Sequence, residues 1–406
     1  MRIILTHNNY AMQGGAEVFY HEVGRVLCAH GHEVAYFSAA DGKMKTVWND
    51  YFPLVAGYNH GNLLSKAASF GSMVYNRNAN KAMARLIQDF KPDIIHAFAI
   101  YVQLTPAILD AAREVGVPVV MSCNDYKHIC PNYKLYHHGK ICEECKGGRF
   151  YRSIVNRCCH DSIVYSIAST VEAYAHNWIN IYRKNVHTFL FASEFMARKT
   201  ENFWGKGSFR WGLLRNPFDK VRHRIEGTVG DYALYFGRLI DEKGVDVLLE
   251  AAVLVRNLAI VVVGDGPDRE KLEFQADQLG LYNVRFVGSK WGNELNNWLC
   301  DCRFVVVPSL WHENFPYVIF QAFAAGKPVI GSNRGGIPEL IEHGVRGFIY
   351  DSTDPNELAS AMRILRDSSD EEIEEMGEKA RGFVESEFND DRFYARLMDI
   401  YGGVLL

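Results

Sequence analysis

Twice along this chain, short runs rich in Val, Ile and Phe alternate with stretches long enough for one helix each, and this alternation restricts the fold more than any other feature. The first series reads RIILT at 2 to 6, HEVAYFS at 32 to 38, DIIHAF at 93 to 98, VPVVMS at 117 to 122 and TFLFA at 188 to 192. Between the first two runs, a helical pattern extends from Ala16 to about His30, and Gly31 supplies a C-cap. A strand, a glycine-containing loop, a helix and a second strand make up the opening unit of a parallel, doubly wound sheet.

The pattern breaks at Leu214-Arg215-Asn216-Pro217, because proline disfavours helix at the residue before it and Asn-Pro marks a turn. A second series follows: YALYFGRL at 232 to 239, AIVVVGDG at 259 to 266, VRFVG at 284 to 288, RFVVVP at 303 to 308, PVIGS at 328 to 332 and GFIY at 347 to 350. With 406 residues the chain exceeds one hydrophobic core. The expectation is therefore an α/β protein of two Rossmann-like domains facing a cleft, 1–215 and 216–389. Residues 390–406, with Phe393, Leu397, Ile400 and Tyr401 on one helical face, pack back on the first domain. Ligands of such folds sit beyond the carboxyl ends of the strands.

Two features of the second series carry chemistry. Gly237-Arg238 closes a strand, and Asp241-Glu242-Lys243-Gly244 precedes a helix. Two fixed cations near a helix N-terminus suit a diphosphate, although a surface Arg and Lys in a turn would read the same. In the stretch from Pro308 to Ser332, Glu313-Asn314-Phe315-Pro316 leads into a helix from about Tyr317 to Ala325, with Pro316 at its first position and Gln321 one turn in. A carboxylate there accepts sugar hydroxyls while backbone amides face phosphate oxygens, or it merely caps the helix.

These pieces resemble the family 4 retaining glycosyltransferases, which have the GT-B architecture. The family frame GR-x4-KG matches Gly237 to Gly244, and its two glutamates eight positions apart fall on Glu313 and Gln321. The resemblance implies that Arg238, Lys243 and Glu313 act on the diphosphate and sugar. Gly264 and Gly266 of the GxGP loop, Asn314, Phe315, Pro316 and Gln321 would complete the donor site. Glutamine at 321 keeps one acceptor for a ribose hydroxyl but loses its charge, so weaker nucleotide affinity is expected. Phe286-Val287-Gly288 resembles the family's base-edge strand.

On the N-terminal side, Gln13-Gly14-Gly15-Ala16-Glu17 precedes the first helix. In the family such a loop touches donor phosphate or sugar, which assigns Gly14 and Gly15 to the donor. The spacing is not GxGxxG, which weakens a dinucleotide dehydrogenase reading. Where the family carries His-Asp, this chain has Asn124-Asp125; these and His96 are read as cleft-lining, with His96 structural rather than a base. No Asp-x-Asp occurs. A metal-bridged diphosphate is not expected, and charge neutralisation falls to Arg238, Lys243 and helix ends.

Nine cysteines occur without a secretory pattern at MRIILTHNNY, so thiols or metal ligands are expected in a reducing cytosol. The insert 126–160 holds Cys130, Cys142, Cys145 and Cys158, spaced for a structural zinc site. Free thiols and an iron–sulfur cluster are the alternatives, and Cys159 can replace Cys158. A similar CP…CxxC…C insert occurs in family members that build bacterial surface polysaccharides. The insert has four Lys and three Arg against two Glu, interleaved with aromatic residues, which suits anionic lipid headgroups or a lipid-diphosphate acceptor, or simply a solvated loop. The overall charge of -4 offers no ground for nucleic-acid binding.

The expected activity is metal-independent, retaining hexosyl transfer from a nucleotide-sugar donor, UDP-linked in preference to GDP-linked, to a glycan or lipid-linked glycan. The expected place is the cytoplasm, at the inner face of the membrane where contact is peripheral. A catalytically weakened glycosyltransferase-like subunit and a nucleotide-sugar epimerase are the alternatives.

Overall fold

The computed structural model describes every residue except 13, 41–45, 55–70, 218–226 and 406; Gln13 of the first glycine loop thus lies outside the described residues. The described chain divides into two compact units. The N-terminal unit comprises Met1–Leu135, Glu143–Pro217 and Asp391–Leu406. The C-terminal unit comprises Phe218–Asp390 together with a short piece of the cysteine insert, Tyr136–Cys142.

In the N-terminal unit, strands β1 (Arg2–Thr6), β2 (Glu33–Phe37), β3 (Ile94–Ala97), β4 (Val119–Cys123), β7 (Thr188–Phe191) and β8 (Trp211–Leu213) form a parallel sheet in the order β2-β1-β3-β4-β7-β8. β3 and β4 are buried along their whole length, as continuous apolar runs require when helices cover both faces. β8 carries no sequence signal because it is three residues long, half-buried and at the sheet edge. The C-terminal helix Asp390–Leu405 buries Phe393, Leu397 and Tyr401 among Ile3, Leu5, Phe19 and Phe98. That contact follows from their i, i+4, i+8 spacing.

The C-terminal unit repeats the plan with β9 (Tyr232–Phe236), β10 (Ala259–Val263), β11 (Val284–Gly288), β12 (Phe304–Val307), β13 (Val329–Ser332) and β14 (Gly347–Tyr350). Their order is β11-β10-β9-β12-β13-β14, all parallel. From β9 the chain builds outward through β10 and β11, then returns to place β12 on the other side of β9. The strand order therefore reverses between β9 and β12, the point at which folds of this type place their ligands.

The hairpin of β5 (Tyr136–His137) and β6 (Lys140–Ile141) corrects the assignment of the whole insert to the first domain. Tyr136 is buried in the apolar cluster that contains Leu239, Val245 and Leu310, and Ile141 packs against the same cluster. Among the described residues no helix is long and apolar enough to cross a membrane.

Candidate functional site

The loops after β9 and β12, at the reversal point, carry the three residues singled out for chemistry. Lys243 ends a single 3-10 turn, Asp241–Lys243, and its Nζ lies 2.6 Å from Oε1 of Glu313. Ser309 Oγ donates to the same oxygen at 2.7 Å. Glu313 is buried, which alone would raise its pKa, but the ammonium of Lys243 and these hydrogen bonds hold it below the usual carboxylate range. The Lys243 ammonium also lies 5.6 Å from the centre of the Trp311 ring. Arg238 is exposed, and its side chain makes no hydrogen bond or ion pair to a described residue. One cation thus fixes the carboxylate, and a second stays exposed.

Close backbone packing holds these loops. Gly244 has φ +66°, and a Cβ there would lie 2.1 Å from the carbonyl oxygen of Pro308; the amide of Leu310 donates to the carbonyl of Glu242 at 2.9 Å. The turn bearing Lys243 is therefore tied directly to the loop bearing Glu313. On the other side, Gly336 N donates to Glu313 O at 2.7 Å. Gly264 and Gly266, assigned to donor binding, have an immediate steric duty: a Cβ would stand 1.9 Å from Gly237 O and 2.2 Å from Leu239 O respectively. Leu239 N donates to Asp265 O at 2.9 Å across the same seam, so this loop sets the backbone beside Arg238.

The helix Tyr317–Ala324 begins where expected, but Pro316 stands just before it and not at its first helical position. Pro316 is its N-cap, with φ -73° and ψ 119°, and no side chain caps the helix. Gln321 is half-buried on this helix, eight residues after Glu313. Phe315 turns inward, its ring 4.7 Å from Phe320 and 5.7 Å from Phe388, so its side chain anchors the loop. Asn314 is half-buried. Sequence reasoning missed Ser309, whose only signal is its place after a strand and four residues before Glu313. It also missed Tyr136, whose hydroxyl donates to Asp241 at 2.9 Å across 105 positions of sequence, a distance no local pattern spans.

In the N-terminal unit, Gly14 and Gly15 are exposed at the start of the helix Gly15–Ala29, which has no side-chain cap. Gly14 has an extended φ of -167°, so its value is an open helix start and not a conformation closed to other residues. Glu17 is buried and accepts from Asn9 Nδ2 at 3.2 Å. At the end of β4, Asn124 has a buried Nδ2 with no hydrogen-bond partner among the described residues. Beside it, burial pushes Asp125 up to about 6, although the Lys127 amide donates to it at 2.9 Å.

His96 requires a correction. Expected to line the cleft, it is fully buried between Tyr401 Oη and Ser122 Oγ, each at 2.8 Å. Desolvation holds it down to about 3, so it stays neutral as a core hydrogen-bonding residue.

Among the described residues, no three insert cysteine sulfurs all lie within 4.8 Å of one another. Cys142 belongs to the C-terminal unit, whereas Cys130, Cys145, Cys158 and Cys159 belong to the N-terminal one. Cys130 Sγ donates to Asn132 Oδ1 at 3.0 Å and Cys158 Sγ to Ser153 O at 3.5 Å.

Comparison with known proteins agrees with this geometry. Residues 222–383 match the description "Glycosyl transferases group 1", and residues 13–219 match "Glycosyltransferase Family 4". A lipopolysaccharide 1,2-N-acetylglucosaminetransferase of Salmonella typhimurium is 33% identical over 193 residues, 43% of this chain and 49% of that one. A protein encoded in the cps region of Klebsiella pneumoniae is 25% identical over 355 residues, covering 84% of this chain and 87% of its own. The chain spans about half the length, or less, of the first curated relatives it matches. Among solved structures, HepE of Anabaena with UDP and glucose superposes with a TM-score of 0.67 at 18% identity, covering 99% of this chain and all of that one. Sucrose-phosphate synthase of Thermosynechococcus elongatus gives 0.71 at 16% identity, covering 99% and 98%. With one family description covering half of the chain and a second covering most of the remainder, the protein belongs to glycosyltransferase family 4.

Proposed function

We propose that the protein transfers a hexosyl group from a UDP-sugar to a saccharide acceptor in surface-polysaccharide synthesis, with retention of anomeric configuration and without a catalytic metal. The observation that carries this reading is the Lys243–Glu313 contact at the strand-order reversal, with Arg238 exposed beside it. Lys243 and Arg238 face the diphosphate, and Glu313, kept ionised by Lys243, accepts hydroxyls of the sugar. The donor base is suggested by the UDP complexes of HepE, and the acceptor class by the Salmonella relative. In the N-terminal unit, Asn124 offers its unpaired donor to a ligand oxygen.

The test is turnover of a panel of nucleotide sugars with lipid-linked glycan extract in the presence of a chelator, with the product's anomeric configuration read by NMR. No transfer from any donor would sink the proposal. An inverted product would overturn retention, and activity that a chelator abolishes and a divalent cation restores, with the chain's bound zinc unchanged throughout, would overturn metal independence. Gln321 motivates a second reading, a subunit that binds nucleotide without turning it over. The variant Gln321→Glu bears on the ribose assignment: calorimetry with UDP is expected to show binding tighter by about three- to tenfold, as a charged acceptor replaces a neutral one. Unchanged or weaker affinity would remove Gln321 from the ribose.

A structural zinc remains a further proposal, held by thiols of the insert. Its binding would displace the protons that Cys130 and Cys158 donate to Asn132 and Ser153. The set is Cys130, Cys142, Cys145 and Cys158, with Cys159 able to replace Cys158. Metal analysis of the gently purified protein is expected to find about one zinc per chain. The variants Cys142→Ser and Cys145→Ser should each lose it. Zinc near zero in the parent protein would reject the site.

A further inference from the structure

The helix Ile163–Trp178 that follows the insert, hereafter the insert helix, is amphipathic in the opposite sense to a core helix. Its polar residues face inward. Glu172 is buried and accepts from Lys127 Nζ at 2.7 Å, His176 Nε2 lies 2.6 Å from Val74 O, and Ser166 Oγ accepts from Cys159 N at 3.1 Å. Thr170 is buried beside Ser153, with its Oγ1 3.3 Å from Phe150 O. Its apolar residues face outward. Ile163, Ile167, Val171, Tyr174 and Trp178 recur at intervals of four, four, three and four, a single stripe about 22 Å long, and all are exposed. Trp178 is 88% exposed and Val164, beside the stripe, 69%. A large ring and several branched aliphatics left in water along one line mark a surface that meets something else.

Charge beside the stripe indicates what that is. From 143 to 172 the chain carries Lys146, Arg149, Arg152 and Arg157 against Glu143, Glu144, Asp161 and Glu172; Glu143 and Glu172 pair with Lys199 and Lys127 outside the segment, while Glu144 lies 3.9 Å from Arg152. This segment runs along the helix: Tyr151 N donates to Tyr174 Oη at 3.3 Å, and the Phe150 ring lies 5.2 Å from that of Tyr174. A second copy of the chain docked on this face by a two-fold axis would bring like charges together. An anionic surface gains from the exposed Lys146, Arg149 and Arg157, and tyrosine and tryptophan along the stripe suit the boundary between headgroups and acyl chains.

We propose that the outer face of the insert helix docks the protein on the surface of an anionic lipid bilayer, with the helix in the plane of the interface. The helix, 16 residues long, does not span; its apolar stripe enters the acyl boundary while Arg149 and Arg157 meet lipid phosphates. This surface is independent of the donor chemistry proposed above, so failure of either leaves the other standing.

The experiment is co-sedimentation of the full chain with vesicles of phosphatidylcholine alone and of equimolar phosphatidylcholine and phosphatidylglycerol. Binding is expected to be at least about tenfold stronger to the anionic vesicles and to weaken at about 0.5 M salt. The triple variant Val164→Ser, Val171→Ser, Trp178→Ser should lose at least about tenfold in binding while melting within a few degrees of the parent, since all three side chains are exposed. Should that variant fail to fold, Trp178→Phe decides. The parent's tryptophan fluorescence should shift to the blue on adding anionic vesicles, and the shift should be lost in this variant. Equal binding by the triple variant, a blue shift unchanged in Trp178→Phe, or a parent dimer that the triple variant makes monomeric would each overturn the proposal.

Discussion

Replacing Lys243 with methionine is expected to lower kcat/KM for sugar transfer by about 10²- to 10³-fold, equivalent to about 3–4 kcal/mol of lost charge stabilisation at the diphosphate. The same change has a second, separable effect on the fold. In the parent, Glu313 is held below its usual pKa, so its contribution to stability is present above the unfolded-state value of about 4.3 and is lost as pH falls through the lower folded value. Without the ammonium at 2.6 Å, burial acts unopposed and the Glu313 pKa rises in the folded state. The variant should then be less stable than the parent by about 2–4 kcal/mol at pH 7, with the gap closing below about pH 4 as Glu313 becomes protonated. Thermal unfolding across pH 3.5 to about 8 checks this. A variant with undiminished turnover would remove Lys243 from the donor site, and a gap independent of pH would remove the ion pair as its cause.

The second large effect is expected at Gly264. An added methyl would stand 1.9 Å from the Gly237 carbonyl oxygen, and both partners are backbone, so no rotamer change relieves the clash. The φ of +155° lies where side chains are rarely tolerated. Gly264→Ala is therefore expected to cost more than about 3 kcal/mol and to lower the melting temperature by roughly 10 °C. Gly280→Ala is the control: its φ is +60°, but nothing lies within 4 Å of the added atom, so a loss of about 1 kcal/mol is expected. If Gly264 acted only by admitting a ligand, its alanine variant would keep the parent's melting temperature and lose nucleotide affinity alone.

Gly264 also illustrates how sequence and structure divide the explanation. Its place in a GxGP loop was legible as a resemblance to a ligand-binding motif. The neighbour that demands glycine there, the Gly237 carbonyl on another strand's loop, was not. His96 shows the same division in the other direction. A histidine near the end of a buried strand reads as cleft-lining, but Tyr401, 305 positions later, closes over it from the C-terminal helix. Ser309 sits within the motif region and was passed over because a hydroxyl after a strand is common; only its 2.7 Å bond to Glu313 distinguishes it.

By itself, the sequence determined the two doubly wound sheets and singled out Arg238, Lys243 and Glu313 among the loops of the second. Apolar periodicity, proline breaks and motif spacing are local properties that survive without knowledge of neighbours. Only the tertiary structure decided that Lys243 is spent on Glu313 while Arg238 stays exposed, and that the Tyr136 hairpin belongs to the C-terminal unit. Tertiary packing also decided that the donor motif's opening residues rest on paired loops, and that the insert helix turns its polar side inward. Those outcomes depend on which distant groups satisfy a buried charge or hydrogen bond. The insert helix follows that rule directly: once Lys127, Val74 and Cys159 engage its polar face, its apolar stripe has nowhere to go but outward.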